Sequence, residues 1–431
     1  RSDDGELIMA HDTLVRTPAG SIPLATTTNI PGKNISNSLR AREMQASPIR
    51  KLAAIAEARK KQGIKVHHLN IGQPDLPTSP AVFEAIRSFN QPTIAYAPSN
   101  GIPAALAAWR KYLKHNGIEL EEREIIVTAG GSEAITFAMC AVCDADDEII
   151  VFEPFYTNYN GFATLANVKL RPVPLDIKTG FHLPLEKEIE SYINSRTRAI
   201  LVCNPSNPTG TIYSREELQR LVDLSKKHNL FLMSDEVYRE FAYDAESISV
   251  MSFPEIRNQA ILLDSCSKRF NVCGARIGII ASHNDEVIQT ALKFGMARLS
   301  VATLEQVAVS PLLNDPDPYT KPIVDEFRKR RDAVYEGLKS IPGVAFYKPE
   351  GAFYIVIGLP VKDAEHFSKW LIEEFEYEKE TVLLAPANGF YATPGKGTNE
   401  VRLAFMLKVE DLQKSLTIIR LALEQYQRQH S

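Results

Sequence analysis

The 431-residue chain carries 49 Lys and Arg against 53 Asp and Glu, a formal charge of −4, and is 44% hydrophobic and 24% charged. That balance fits an ordinary folded chain of two domains and leaves no electrostatic footprint for nucleic acid or an anionic membrane surface. No apolar run approaches the roughly 20 residues that span a bilayer, and five cysteines, an odd number in a long chain, suggest reduced thiols in a cytoplasmic protein.

Residues 1–44 hold Thr26-Thr27-Thr28, Pro31-Gly32 and Asn34 to Asn37 with little apolar periodicity. They are expected to form an irregular segment or an arm lying on a partner subunit. A helix over Ile49–Lys61 is expected to open a small domain at residues 45–80, with a large domain at 81–315 and the rest of the small domain at 316–431. From about residue 120 to 281, short apolar runs alternate with helical patterns. The runs are Ile125–Val127, Ile149–Phe152, Leu170–Leu175, Ile200–Val202, Phe231–Met233, Ile261–Leu263 and Ile277–Ile280. Continuous rather than alternating apolar residues mean strands buried on both faces. The fold expected is α/β: a three-layer large domain on a mostly parallel seven-stranded sheet, plus a smaller α+β domain. Ser214-Arg215-Glu216-Glu217 is a capping box opening a helix to about His228, and Cys140-x-x-Cys143 reads as core packing rather than a metal site. Beyond the sheet, Val344–Tyr347 and Phe353–Ile357 pair around the Pro349-Glu350-Gly351 turn. Val401, Leu403 and Phe405 mark a strand with one apolar face. Leu412, Leu416, Ile419, Leu423 and Tyr426 suit a closing helix.

Several of the expected strands end in chemistry-bearing residues. Gly130-Gly131-Ser132-Glu133 precedes a helix, where backbone N–H groups and the helix dipole favour a phosphate. Asn204-Pro205-Ser206-Asn207-Pro208-Thr209-Gly210 is stiffened by two prolines, so that an amide can be aimed. Asp235 and Tyr238 follow the run at Met233, and Ser265-Cys266-Ser267-Lys268 follows Leu263, with Arg276 eight residues on. A lysine at the mouth of a sheet, beside hydroxyls and an arginine, suits an imine to a phosphorylated carbonyl cofactor. Singly, each feature has an ordinary reading as a solvated loop lysine, a turn, a helix cap or a packing phenol. Together they offer groups for phosphate, proton and imine in one chain order.

With these motifs and Val401-Arg402-Leu403, residues 45–428 resemble the class I aminotransferases of the fold-type I pyridoxal-phosphate family. The resemblance implies that Lys268 carries pyridoxal 5'-phosphate and moves the substrate proton, and that Asp235 holds the ring nitrogen protonated. Tyr238 and Asn207 would bond the ring oxygen. Gly131, Ser132, Glu133, Ser265, Ser267 and Arg276 would hold the phosphate, and Tyr156 would stack on the ring. Tyr96 would serve the neighbouring subunit's phosphate in a homodimer. Arg402 would grip the substrate carboxylate, with Asn207 and Gly72 at the same pocket, Gly72 on a segment that closes over it. Arg298 is a candidate for a distal carboxylate, with a structural salt bridge as the alternative. The segment Pro386–Gly395 is a candidate for the entrance. The implied activity moves an amino group from an L-amino acid, aspartate first, to a 2-oxo acid such as 2-oxoglutarate by a ping-pong mechanism. Aromatic, branched-chain and alanine donors stay open. So do a C–S lyase or cyclopropane-forming synthase on the same fold; a ligand-sensing regulator would need a helix-turn-helix module that residues 1–44 are too short to supply.

Overall fold

The computed structural model describes residues 36–430. The segment expected to be irregular, 1–44, lies outside the described residues as far as residue 35. Its described end forms one short helix, Leu39–Glu43, with no buried side chain. The expected helix over Ile49–Lys61 is a 3-10 turn, Pro48–Arg50, followed by the helix Ala53–Lys61.

Strand β1 (Lys65–His68) is followed by seven strands that build the main sheet. They are β2 (Ile125–Thr128), β3 (Glu148–Glu153), β4 (Lys169–Pro174), β5 (Thr197–Cys203), β6 (Phe231–Asp235), β7 (Ala260–Ser265) and β8 (Gly278–Ala281). Their order is β2-β8-β7-β6-β5-β3-β4. Neighbours from β7 through β4 pair in parallel, and β8 runs against both β2 and β7. The seven apolar runs of the sequence are these strands. Alternate residues enter different cores: Leu262 packs with Trp109 of the helix Pro103–His115, whereas Ile261 and Leu263 pack with Ala134 and Ala138 of the helix Gly130–Val142. Helices therefore cover both faces, which is why the strands are apolar throughout. The capping box at Ser214 forms as expected, with Ser214 N donating to Glu217 at 2.8 Å and Glu217 N to the Ser214 hydroxyl at 3.2 Å.

The registers line up the strand ends that matter. Asp235 lies opposite Cys203 and Leu263, and Gly278 lies opposite both Ser265 and Thr128. A Cβ on Gly278 would stand 2.6 Å from the Asp264 carbonyl oxygen and 2.7 Å from the Gly130 carbonyl carbon. Only glycine lets the start of the Gly130–Val142 helix approach the end of β7 so closely.

The remaining strands are β9 (Ala345–Phe346), β10 (Tyr354–Gly358), β11 (Glu380–Leu383), β12 (Ala385–Pro386) and β13 (Glu400–Ala404). β12-β13-β10-β9 form an antiparallel sheet, and β1 pairs with β11 in parallel. The closing helix is Val409–His430. β13 departs from expectation. Its second face is covered as well as its apolar one, so Arg402, opposite Val356 and Ala385, is only 1% exposed. The other departure is Cys140, which is exposed; Cys143 is half-buried and packs against the core beneath the Gly130–Val142 helix, so core packing holds for one of the two.

Candidate active site

A cavity of about 290 Å³ opens beyond the ends of β6 and β7 and reaches β13. Among the expected site residues, Gly72, Gly131, Ser132, Tyr156, Asn207, Asp235, Tyr238, Ser265, Ser267, Lys268, Arg276 and Arg402 all line it. They come from sites up to 330 positions apart in the sequence, as expected of a pocket at the carboxyl ends of sheet strands.

One end is built for an anion. Gly130, at φ +76°, turns the chain from β2 into the helix, and a Cβ there would fall 2.3 Å from an Arg276 guanidinium nitrogen. The first-turn amides of this helix lack intrahelical acceptors and carry the positive end of its dipole. The Ser265 and Ser267 hydroxyls stand 2.8 Å apart beside them, and Arg276 donates to the Cys273 carbonyl at 3.1 Å. No carboxylate pairs with Arg276 among the described residues.

The middle is built around Asp235, 5% exposed. Burial pushes its carboxyl up from an ordinary 3.8 to about 6, against the pull of Tyr159, whose hydroxyl donates to it at 2.7 Å. Tyr159 did not emerge from the sequence. The available signal was its closeness to Tyr156, three residues earlier: Tyr156 just precedes the helix Asn158–Ala166 that carries Tyr159, and the two rings meet edge to face at 5.5 Å. Across the cavity, Asn207 Nδ2 donates to the Tyr238 hydroxyl at 3.2 Å, and Tyr238 shares a 3.2 Å contact with the hydroxyl of Tyr354. Tyr354 also lines the cavity and was not singled out in the sequence.

Lys268 Nζ donates to the Gly72 carbonyl at 2.8 Å. Burial, with the cations Arg402 and Arg276 nearby, holds its ammonium below the usual lysine range. Glycine is needed at 72, because a Cβ there would sit 1.8 Å from the Tyr354 hydroxyl oxygen. Arg402 donates to the Asn207 side-chain oxygen at 3.2 Å and to the Asn70 carbonyl at 2.6 Å, while its Nε has no partner. Its guanidinium lies between the rings of Tyr354 and Phe390, 4.5 and 4.9 Å from their centroids. It is the one fully buried arginine, among the described residues, without a carboxylate: Arg269, Arg330 and Arg331 each have one.

Three expected residues stand apart from the cavity. Arg298 does not line this chain's cavity. Its Nε donates to Glu133 at 3.1 Å, and its terminal nitrogens donate to the carbonyls of Val127 at 2.8 Å and Ser99 at 3.3 Å. The salt-bridge alternative is the one realised, because the helix Asp285–Ala297 ends against β2 and turns the arginine inward. Glu133 is turned the same way, its carboxylate also accepting from Ala129 N at 2.8 Å. Tyr96 is 80% exposed. The segment Pro386–Gly395 does not line the cavity either. Buried Glu153 accepts from Ala392 N and Thr393 N at 2.8 and 3.0 Å, which draws the segment against the sheet and places Phe390 behind Arg402. Among the described residues, no helix is long and apolar enough to cross a membrane.

The family described as Aminotransferase class I and II matches residues 64–419. The chain is 32% identical over 394 residues to the probable aspartate/prephenate aminotransferase of Aquifex aeolicus, over 90% of this chain and 98% of that protein. A solved Thermus thermophilus aspartate aminotransferase, a single mutant, superposes with a TM-score of 0.82 at 29% identity, over 90% of this chain and all of that one. The Thermotoga maritima aspartate aminotransferase structure gives 0.82 at 31% identity, with the same coverage.

Proposed function

Since the chain belongs to the class I and II aminotransferases, enzymes that use pyridoxal phosphate, we propose that it transfers an amino group from an L-amino acid, aspartate first, to a 2-oxo acid such as 2-oxoglutarate by a ping-pong mechanism. The observation that carries this reading is the pairing, in one cavity, of a lysine whose charge is disfavoured with a buried arginine that has no carboxylate. Both are expensive to bury unless a ligand completes them.

The residues present fit the cofactor. The first turn of the Gly130–Val142 helix, Ser265, Ser267 and Arg276 form a cradle of the right charge for its phosphate. Asp235 is a buried carboxyl with only neutral hydrogen-bond donors, so a protonated ring nitrogen would complete it. Tyr238 and Asn207 stand where they could donate to a ring hydroxyl, and Tyr156 offers a ring face. When bound, pyridoxal phosphate supplies an electron-withdrawing ring that takes up the electrons released at the substrate Cα.

The chain's own residues do the rest. Arg402 binds the α-carboxylate by its two-pronged fork, and its aromatic sandwich fixes the plane of that fork. Asn207 bridges Arg402 and Tyr238, so substrate and ring oxygen are aligned by one side chain. Lys268, whose charged form burial disfavours, accepts the Cα proton at Nζ and returns it elsewhere. In the cofactor-free chain the Gly72 carbonyl accepts from Nζ and keeps it inside the cavity. The homodimer belongs to the same reading: Tyr96, exposed on its own chain, is free to serve the neighbouring site.

The test is a panel of L-amino acids added to purified enzyme, read by the absorbance of bound cofactor and by the 2-oxo acid formed. Conversion of the cofactor with stoichiometric 2-oxo acid is expected. Release of pyruvate and ammonia instead would assign a lyase and overturn the transfer reaction.

A further inference from the structure

Four cationic side chains line the cavity, Arg50, Lys268, Arg276 and Arg402, against one carboxylate, Asp235. On the reading above, Lys268 takes the cofactor carbonyl, Arg276 the phosphate, Arg402 the α-carboxylate, and Asp235 the ring nitrogen. Arg50 is left over. It sits at the mouth, exposed, and among the described residues no hydrogen bond or ion pair ties up its side chain. Most surface arginines are simply solvated, but this one is on a turn held from three sides. Asn70 Nδ2 donates to the Ile49 carbonyl at 2.9 Å, while the Asn70 carbonyl accepts from Arg402 at 2.6 Å, so one buried residue ties the Arg50 turn to the Arg402 fork. Pro48 presses on Gly389 so closely that a Cβ there would lie 2.4 Å from the proline ring. Next door, Lys51 pairs with Glu365. The Pro386–Gly395 segment thus places both cations, Arg402 through Phe390 and the Arg50 turn through Gly389.

We propose that Arg50 recognises a second carboxylate on the substrate, making dicarboxylic amino and 2-oxo acids the preferred class. This takes over within the chain the role the sequence had offered to Arg298. The inference rests on the transaminase reading of the cavity. A fork-shaped cation carried on a turn tied to the α-carboxylate site selects ligands that span both, and disfavours those that leave one cation unmatched.

The test is Arg50→Gln, with Arg50→Lys beside it, in purified enzyme carrying its cofactor. A charge-assisted contact at a cavity mouth is worth up to about tenfold in affinity, so Arg50→Gln should lower the kcat/KM ratio of aspartate over alanine by up to about that factor. Arg50→Lys should restore part of it. Calorimetry supplies an independent arm with two unreactive probes. Succinate should bind the unmodified protein more tightly than butyrate, with the advantage lost in Arg50→Gln and reduced by added salt. An unchanged aspartate-to-alanine ratio, or a succinate advantage that survives the substitution, would overturn the proposal while leaving the aminotransferase standing. If no donor is turned over at all, the function proposed above falls, and the two carboxylates still decide the role of Arg50.

Discussion

Two buried, charged regions lie on either side of the Lys268 loop, and they are built on opposite principles. Behind it, Arg269 and Arg239 converge on Asp264: Arg239 donates at 2.9 Å, Arg269 at 3.2 Å through one nitrogen and more closely through another. Glu236 pairs with Arg239 at 2.7 Å, and Glu240 with Arg269 at 3.0 Å. Every charge there is matched inside the chain. In front of the loop, Lys268 and Arg402 have no anion, and Asp235 has only neutral donors. Desolvation penalises both regions. In the first the cost is offset permanently, and that region positions the loops carrying Asp235, Tyr238 and Lys268. In the second it is offset only when a ligand arrives. Burial alone does not mark a functional charge; burial without an internal partner does.

Removing a charge from the unmatched side should destroy activity while sparing stability. Lys268→Ala is expected to cut turnover by at least about 10⁴-fold, the upper range for a positioned acid–base group, and to abolish the absorbance of cofactor bound through the imine. Its unfolding free energy, measured in urea on cofactor-free protein, should stay within about 1 kcal/mol of the parent, because no buried counter-ion is orphaned. Retained turnover would remove the central assignment; a large loss of stability would erase the contrast between the regions.

The matched side should respond in reverse. Asp264→Asn leaves two guanidinium groups buried without their shared anion, and breaking such a cluster costs about 3–5 kcal/mol. The same urea measurement reads it. The variant should still convert cofactor absorbance with substrate wherever it remains folded, since Asp264 does not line the cavity. A cost below about 1 kcal/mol would mean that the cluster is not the self-compensated frame described here.

The sequence shows much of one region and little of the other. The seven strands were legible because their residues are apolar on both faces and stop at glycine, proline or a polar cluster. Lys268 and Asp235 were legible because they sit at or just past those stops, and Arg276 because it stands immediately before the run that becomes β8. Arg402 was identified by its motif, but the covering of both faces of β13 depends on Phe390, Tyr354 and Asn70, which lie far off in the chain. The matched cluster was invisible for the same reason. Arg239 and Arg269 look like ordinary loop arginines until Asp264, Glu236 and Glu240 are brought together in space. Arg298 went to its salt bridge because spacing places a residue near a helix end without saying which way the chain turns there.

Asp235 allows the finest test, because its only strong partner is neutral and can be removed without leaving a charge. Burial holds its carboxyl near 6, and the Tyr159 hydroxyl keeps it from rising further. The folded, cofactor-free chain therefore keeps this proton between about pH 4 and 6, where the unfolded chain has released it, and this group makes folding less favourable as pH rises through that window. Cofactor affinity should run the other way, because a protonated ring nitrogen needs the ionised carboxylate. Tyr159→Phe removes a hydrogen bond worth about 1 kcal/mol, which shifts the carboxyl up by somewhat under one pH unit. Titrating cofactor onto the two proteins from pH 5 to 8 should show the acidic edge of binding displaced upward by about that amount in Tyr159→Phe, with the gap narrowing towards pH 8. Coincident edges would mean that Asp235 is not the group that meets the ring, and the unmatched side of the comparison would lose its only acid.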